Sequence, residues 1–147
     1  MELVKFDSYN HIYGPDNFFE EFSKTVLDLD IDTASSSTPS AQSKQTKQYV
    51  GWLLRSLTLL NEAGVSATRL KGFEKLSGTG DLYSVKYPHT GKNPRILYFF
   101  VQGQNVILLY SFLEKNKGDY QRAINVAEQR KKLLLLQWPL DETGGSL

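Results

Sequence analysis

Four basic residues lie in or directly after a β-rich stretch of the chain: Lys86, Arg95, Lys115 and Lys117. Four tyrosines are interleaved with them: Tyr83, Tyr87, Tyr98 and Tyr110. Lysine and arginine bind phosphates, and tyrosine rings stack on unpaired bases, so this composition is typical of a surface that binds single-stranded RNA. An ordinary sheet with Lys and Arg on its solvent-facing side has the same composition, and spacing alone leaves both interpretations open.

The stretch predicts an antiparallel meander of three strands, at Leu82–Tyr87, Arg95–Gln102 and Asn105–Leu113. Each is dense in Val, Ile, Leu, Tyr and Phe, which suit a pleated, half-buried surface. Turn residues separate the strands, and the second connection is short enough for a tight hairpin. Because side chains alternate between the faces of a sheet, Lys86 and Arg95 are expected near each other at one sheet end.

Helical periodicity surrounds the predicted sheet. A first helix is expected over about Asp16–Asp28, a second from Ser40 or Ser43 to a stop at Gly64, and a last from Gly118-Asp119 to about Leu136. Val4–Tyr9 is a further candidate strand. The fold class is therefore α+β, with N-terminal helices packed on a twisted antiparallel sheet of three or more strands and a C-terminal helix.

The length of 147 residues favours a single domain over residues 1–147. A flexible connection is expected at about 30–45 and a disordered tail at about 139–147. Residues 42–132 carry a net charge of +9, against −6 for residues 1–41 and −2 for the remainder. A basic body suggests a polyanionic partner, although solvated charged faces explain the same numbers.

Several other site types find little support in the sequence. There is no cysteine, and the two histidines, His11 and His89, lack metal-ligand spacing, so neither a metal nor a cofactor is expected. No apolar run is long enough to span a bilayer, and the N-terminus does not resemble a signal peptide; an intracellular, cytoplasmic location is expected. His89 is predicted in a turn beside the basic sheet edge, where it is either solvent-exposed or a general acid or base.

Four segments, in this order, resemble the RelE/HigB-type toxins of bacterial toxin–antitoxin modules, and within them the HigB-like, phage-associated branch. The segments are L-Y-S-V-K-Y, P-R-I-L-Y-F-F, V-I-L-L-Y-S-F-L-E-K-N-K and A-I-N-V-A-E-Q-R. The resemblance implies a RelE-like fold and a metal-independent mRNA endoribonuclease that acts with the ribosome and inhibits translation. It also implies a cognate antitoxin, usually a helix-turn-helix protein, and mRNA on the ribosome as partners.

By position, the resemblance assigns Lys86 and Arg95 to phosphate binding and stabilisation of the transition state. Lys115 and Lys117 match cations that position RNA. Tyr98 is assigned as a catalytic residue that moves a proton or stacks a base. The remaining tyrosines of the stretch are assigned to RNA binding: Tyr83, Tyr87 and Tyr110.

Three positions depart from the family pattern. Ser84 and Lys86 stand where two arginines are usual, and Ser111 follows Tyr110 where the family often has His-Gly. The pattern thus lacks an obvious acid–base group. A non-catalytic binding protein on the same fold, such as a ParE-type gyrase inhibitor or a phage protein that docks a partner, is the alternative.

Overall fold

The computed structural model describes residues 1–27, 39–88 and 93–140, with no side-chain description for 39–43. Six strands lie within these ranges: β1 Leu3–Lys5, β2 Ile12–Pro15, β3 Phe73–Lys75, β4 Tyr83–Lys86, β5 Asn93–Val101 and β6 Asn105–Glu114. The helices are α1 Phe18–Thr25, α2 Pro39–Ala63 and α3 Asp119–Leu135, with a short 3₁₀ helix at Gly64–Arg69. The α+β class is confirmed.

One mixed sheet contains all six strands, in the order β1-β2-β6-β5-β4-β3. Neighbouring strands are antiparallel except β2 and β6, which run parallel. The predicted meander is confirmed as β4, β5 and β6. The predicted antiparallel sheet is therefore extended by a parallel contact, which brings the N-terminal hairpin of β1 and β2 to its edge.

Helices cover both faces of the sheet. Ile96 and Tyr98 of β5 pack into a core with α1 and α2, and Leu97 and Phe99 pack into a second core with α3. The first core is rich in aromatic side chains, including Trp52. The alternation along β5 thus sends neighbouring residues into two different cores, as the period of a strand requires.

The start of α2 lies earlier than the sequence pattern indicates. The helix begins at Pro39, inside the segment predicted as a flexible connection. It ends at Ala63, and Gly64 adopts a φ of 57°, which confirms the predicted stop. The rest of the predicted connection, residues 30–38, and residues 141–147 of the predicted tail lie outside the described residues.

Two short strands, β2 and β3, were not predicted. Gly14-Pro15 has turn chemistry but lies in β2, which pairs with β6. Glycine fits at position 14 because the backbone approaches β6 too closely there for a side chain. A Cβ on Gly14 would lie 3.0 Å from the Phe6 ring and 3.2 Å from the Leu108 Cβ. Tertiary pairing therefore outweighs the local turn signal.

Beyond its contact with β2, the outer edge of β6 is covered by side chains. Strand β2 pairs with β6 only at Val106 and Ile107. The Thr25 hydroxyl donates to the Ser111 carbonyl at 3.1 Å, and Arg130 Nη1 donates to the Leu109 carbonyl at 3.0 Å. Leu109 is the extra residue of a β-bulge, since Tyr98 pairs with Leu108 and Leu97 with Tyr110. These contacts protect an edge that would otherwise be open to pairing.

Candidate functional site

Lys86 and Arg95 are direct cross-strand partners on the sheet face covered by α3. The Lys86 amide also donates to the Gly72 carbonyl at 3.0 Å, so its backbone is fixed on both sides. Strand β4 ends, β5 begins and β6 ends at this end of the sheet. Lys115 and Lys117 follow β6 directly and are exposed. The predicted proximity of Lys86 and Arg95 is confirmed.

Arg95 is held by two carboxylates and an aromatic ring. Its Nε donates to Glu114 Oε2 at 2.5 Å, and its Nη1 lies 3.7 Å from Glu74 Oε1. The guanidinium carbon lies 4.7 Å from the centre of the Tyr120 ring. Only 14% of the side chain is exposed. Lys86 is exposed, in contrast, and forms no ion pair with any described residue.

Three buried polar atoms around this pair have no partner in strict hydrogen-bond geometry within the described part of the chain, although the Ser84 and Tyr120 hydroxyls lie close enough to interact with each other. They are Ser84 Oγ, Asn93 Oδ1 and Tyr120 Oη. Ser84 and Asn93 share the face of Lys86 and Arg95, because each lies two positions before one of them on the same strand. These polar side chains therefore lie on the same side of the sheet as the two cations.

Seven residues together form what we call the Arg95 cluster: Glu74, Ser84, Lys86, Asn93, Arg95, Glu114 and Tyr120. Burial raises the pKa of Tyr120, while the neighbouring Ser84 hydroxyl and Arg95 guanidinium oppose that rise. The Tyr120 hydroxyl therefore stays protonated at neutral pH. The cluster combines an exposed cation, a clamped cation, two carboxylates and buried hydroxyls, which can bind a phosphodiester and move a proton.

Tyr98 lies on the opposite face, and its assignment as a catalytic residue is not consistent with the structure. Its side chain is 0% exposed and packs in the α1/α2 core, where burial raises its pKa above the ordinary value. Its ring stacks on Tyr83, which is half-buried, at 5.8 Å. A fully buried side chain behind the sheet cannot contact RNA bound at Arg95.

The other tyrosines assigned to RNA binding are separated by the sheet. Tyr87 is half-buried and packs against Tyr49 and Trp52 of α2, on the face away from Arg95. Tyr110 lies on the α3 face, where its ring faces the Arg130 guanidinium at 4.9 Å. Tyr110 is thus the one tyrosine of the predicted set on the same face as the Arg95 cluster.

A cleft of about 440 Å³ lies between the end of α1 and the start of α3. Tyr110, Lys115 and Arg122 contribute to its lining. Asp119 fixes the loop beside it by accepting hydrogen bonds from the amides of Lys115 at 2.9 Å and Asn116 at 2.8 Å. These bonds, together with the Arg122 side chain, hold the pKa of Asp119 below its usual value. Lys115 is therefore presented on an anchored loop.

Arg130 forms a second clamp, which we call the Arg130 latch: Glu21, Leu109, Tyr110 and Arg130. The guanidinium donates two hydrogen bonds to Glu21, at 2.6 and 2.7 Å, and one to the Leu109 carbonyl. The latch joins α1, β6 and α3.

The two histidines do not add to the cluster. His11 lies at the opposite end of the sheet, where its amide donates to Asn61 Oδ1 at 2.8 Å and its Nδ1 lies 3.0 Å from Asn105 Oδ1. His89, the candidate acid or base, lies outside the described residues. Within the described ranges, no three His, Cys, Asp or Glu side chains could hold a metal ion, and no helix could cross a membrane.

Sequence reasoning missed Glu74, Asn93 and Tyr120 as members of the cluster. Glu74 lies on the three-residue strand β3, which shows no alternation long enough to recognise. The sequence predicts Tyr120 in the first turn of a helix. Nothing in that pattern indicates that the Tyr120 ring contacts Arg95 on β5. Glu114 directly precedes Lys115 in the sequence, and the structure shows that it binds Arg95.

A family model described as phage derived protein Gp49-like (DUF891) matches residues 40–132. The match includes the whole Arg95 cluster and Arg130, but it begins after Glu21. This family is part of the RelE/HigB-like toxin superfamily and is associated with toxins of toxin–antitoxin systems, which implies an antitoxin partner. No curated protein and no solved structure matches the chain.

Proposed function

The chain belongs to the Gp49-like family of phage-derived proteins, and from this premise we propose that it is a HigB-like toxin that cleaves mRNA. It acts as a metal-independent endoribonuclease together with the ribosome, and it inhibits translation in the cytoplasm. Its partner is a cognate antitoxin, of the helix-turn-helix type, encoded beside it.

The observation that carries this proposal is the cross-strand pairing of the exposed Lys86 with Arg95. Adjacent strands lie about 5 Å apart, so the two cations start close enough to share one phosphate group. Lys115 and Lys117, at the same sheet end, extend the positive surface along a strand of RNA. Tyr110, in the cleft with Lys115, is placed to contact a base there.

The chemistry we propose is attack of the 2′-hydroxyl of the RNA on its neighbouring phosphate. Negative charge grows on the phosphate oxygens in the transition state, and fixed cations stabilise that charge more than they stabilise the ground state. Lys86 makes this contact directly. Arg95 reaches the phosphate through its clamped guanidinium, with Glu114 fixing its orientation.

The alternative, a non-catalytic binding protein, is favoured by one observation. Arg95 is already paired with Glu114 and lies near Glu74, so its charge is compensated before any RNA arrives. A protein that only docks a partner, such as a gyrase inhibitor, needs no free cation at this position.

Cleavage of mRNA after induced expression separates the two functions. Sequencing of RNA 5′ ends should show new cuts within translated frames for the wild type and none for Lys86→Ala combined with Arg95→Ala. Lys132→Ala, which removes an exposed cation elsewhere on α3, is the matched control and should cleave like the wild type. Growth arrest that persists in the double variant, or trapping of DNA gyrase, would contradict the nuclease proposal.

Neutralisation tests the partner. Co-expression of the adjacent reading frame should restore growth and yield a stable complex on size-exclusion chromatography. Growth arrest that is unchanged by that reading frame would contradict the assignment of the antitoxin.

A further inference from the structure

We propose that Glu74 is the general base that accepts the proton of the attacking 2′-hydroxyl, an inference that rests on the proposed ribonuclease function. This chain has Ser111 after Tyr110, where the family often has His-Gly, so the acid–base group has to come from elsewhere in the fold. The structure brings Glu74, from the short strand β3, onto the sheet face of Lys86 and Arg95. Glu74 pairs with Ser84 in the β3–β4 register.

The two carboxylates of the Arg95 cluster differ in how firmly they are held. Glu114 accepts a hydrogen bond from Arg95 Nε at 2.5 Å, and 30% of its side chain is exposed. Glu74 lies 3.7 Å from Arg95 Nη1, and 58% of its side chain is exposed. A carboxylate that accepts a short hydrogen bond from a guanidinium is held in place and fixes the orientation of that guanidinium. Glu74, loosely held and open to solvent, can accept a proton from a bound substrate.

The groups that face Glu74 come from each element packed around it. Arg95 of β5 lies nearest, Lys86 of β4 is its diagonal neighbour across the sheet, and Tyr120 of α3 and Glu114 of β6 complete the set. A phosphate bound between Lys86 and Arg95 therefore lies beside Glu74. The flanking ribose of the same nucleotide is then within reach of its carboxylate.

The proton balance of this step closes without a further reactant. The 2′-hydroxyl loses its proton to the Glu74 carboxylate as the bond from its oxygen to phosphorus forms. The bond from phosphorus to the 5′-oxygen breaks, and its electron pair stays on that oxygen. The proton held by Glu74 then passes, directly or through water, to the 5′-oxygen, so the products are a 2′,3′-cyclic phosphate and a 5′-hydroxyl.

The neighbouring polar groups are poorer bases. The hydroxyls of Ser84 and Tyr120 are buried, and Tyr120 remains protonated because burial raises its pKa. Lysine and arginine are protonated at neutral pH. Among the described residues of the cluster, Glu74 alone combines an acceptor with an exposed side chain next to Lys86.

The test measures single-turnover cleavage of ribosome-bound mRNA by the full-length protein. Glu74→Gln keeps the size and the hydrogen-bonding oxygen but removes the base, and the rate should fall about 100-fold or more with RNA affinity unchanged. Glu128→Gln, at an exposed position on α3, is the matched control and should retain the wild-type rate. Because the side chain is exposed, the thermal unfolding of Glu74→Gln should match that of the wild type.

The pH dependence distinguishes a base from a residue that only positions Arg95. The wild-type rate should rise with pH as a carboxyl group loses its proton, and Glu74→Gln should lose this dependence, whereas Glu74→Asp should keep it at a lower rate. A Glu74→Gln rate within threefold of the wild type, or a loss confined to RNA affinity, would overturn the assignment of Glu74. Failure of the wild type itself to cleave would instead overturn the proposed function.

Discussion

Arg95 of β5 and Arg130 of α3 contact the same kinds of group, but their surroundings differ. In the Arg130 latch and in the Arg95 cluster, a guanidinium with about 15% of its side chain exposed bonds to a glutamate and lies over a tyrosine ring. Arg130 donates two hydrogen bonds to Glu21 and one to a backbone carbonyl.

The Arg95 cluster differs from the Arg130 latch in its exposed cation and in the polar atoms around it. It holds an exposed cation, Lys86, and three buried polar atoms without a partner in strict hydrogen-bond geometry among the described residues. No atom of the latch is in that condition. A clamped arginine is therefore weak evidence for a site by itself, and the exposed Lys86 beside Arg95 distinguishes the cluster that can receive an anion from the one that joins helices.

The largest expected difference is in activity. Arg95→Ala should lower the cleavage rate per folded molecule by about 100-fold or more, because it removes a donor at the developing charge. Arg130→Ala should stay within a few-fold of the wild type when rates are corrected for the folded fraction. Single-turnover cleavage, with circular dichroism to measure that fraction, checks both. Equal losses in the two variants would remove the distinction between latch and cluster.

The reverse order is expected for stability. Arg130→Ala leaves the half-buried Glu21 carboxylate and the Leu109 carbonyl without their donor, and should lower the free energy of unfolding by about 2–3 kcal/mol. Chemical denaturation measures this, and a double-mutant cycle with Glu21→Ala isolates the pair. A loss below about 0.5 kcal/mol, which is typical of an exposed ion pair, would mean that the latch does not join the helices.

Ser84→Ala tests whether the Ser84 hydroxyl serves a ligand. Removing a buried hydroxyl whose polar neighbour is the Tyr120 hydroxyl should change the free energy of unfolding by no more than about 1 kcal/mol, while cleavage falls several-fold. Tyr98→Phe is the matched control, because its hydroxyl is also buried without a partner in strict hydrogen-bond geometry among the described residues but lies on the other face. It should show the same stability effect and full activity. Full activity in Ser84→Ala would argue against a ligand contact there.

The smallest effect concerns the loop that connects β6 to α3. The pKa of Asp119 is lowered from 3.8 by the bonds from Lys115 and Asn116, so its ionised form stabilises the folded state. That stabilisation is present above the unfolded pKa and is lost as pH falls through the lower folded value. The melting temperature of Asp119→Ala should therefore lie below that of the wild type at pH 7, and the difference should shrink as the pH falls below 3.8. A difference independent of pH would contradict this role.

The central part of this fold could be predicted because its signals are local. Alternation along β4, β5 and β6, with a glycine turn, indicated the meander and put Lys86 and Arg95 at one sheet end. It also placed Tyr98 on the face opposite Arg95. What the pattern did not show is that α2 covers that face, which is why Tyr98 was assigned a role in catalysis that its burial excludes.

The rest depends on contacts between distant residues. Glu21 and Arg130 lie 109 positions apart, and nothing in either helix indicates that they meet. The bulge at Leu109 interrupts the alternation of β6, and Glu74 belongs to a strand that forms because β4 is there to pair with it. The position of the acidic residue Glu74 thus depends on tertiary pairing between strands. The positions of the basic residues Lys86 and Arg95 follow from the local pattern of their own strands.

The chemistry of the RNA ends tests the central claim most directly. Ribosome-bound mRNA incubated with the purified protein should yield fragments with 5′-hydroxyl and 2′,3′-cyclic phosphate ends, and the same fragments should be absent with Lys86→Ala. Fragments with 5′-phosphate and 3′-hydroxyl ends, or intact mRNA with the wild-type protein, would contradict cleavage by the 2′-hydroxyl at the Arg95 cluster.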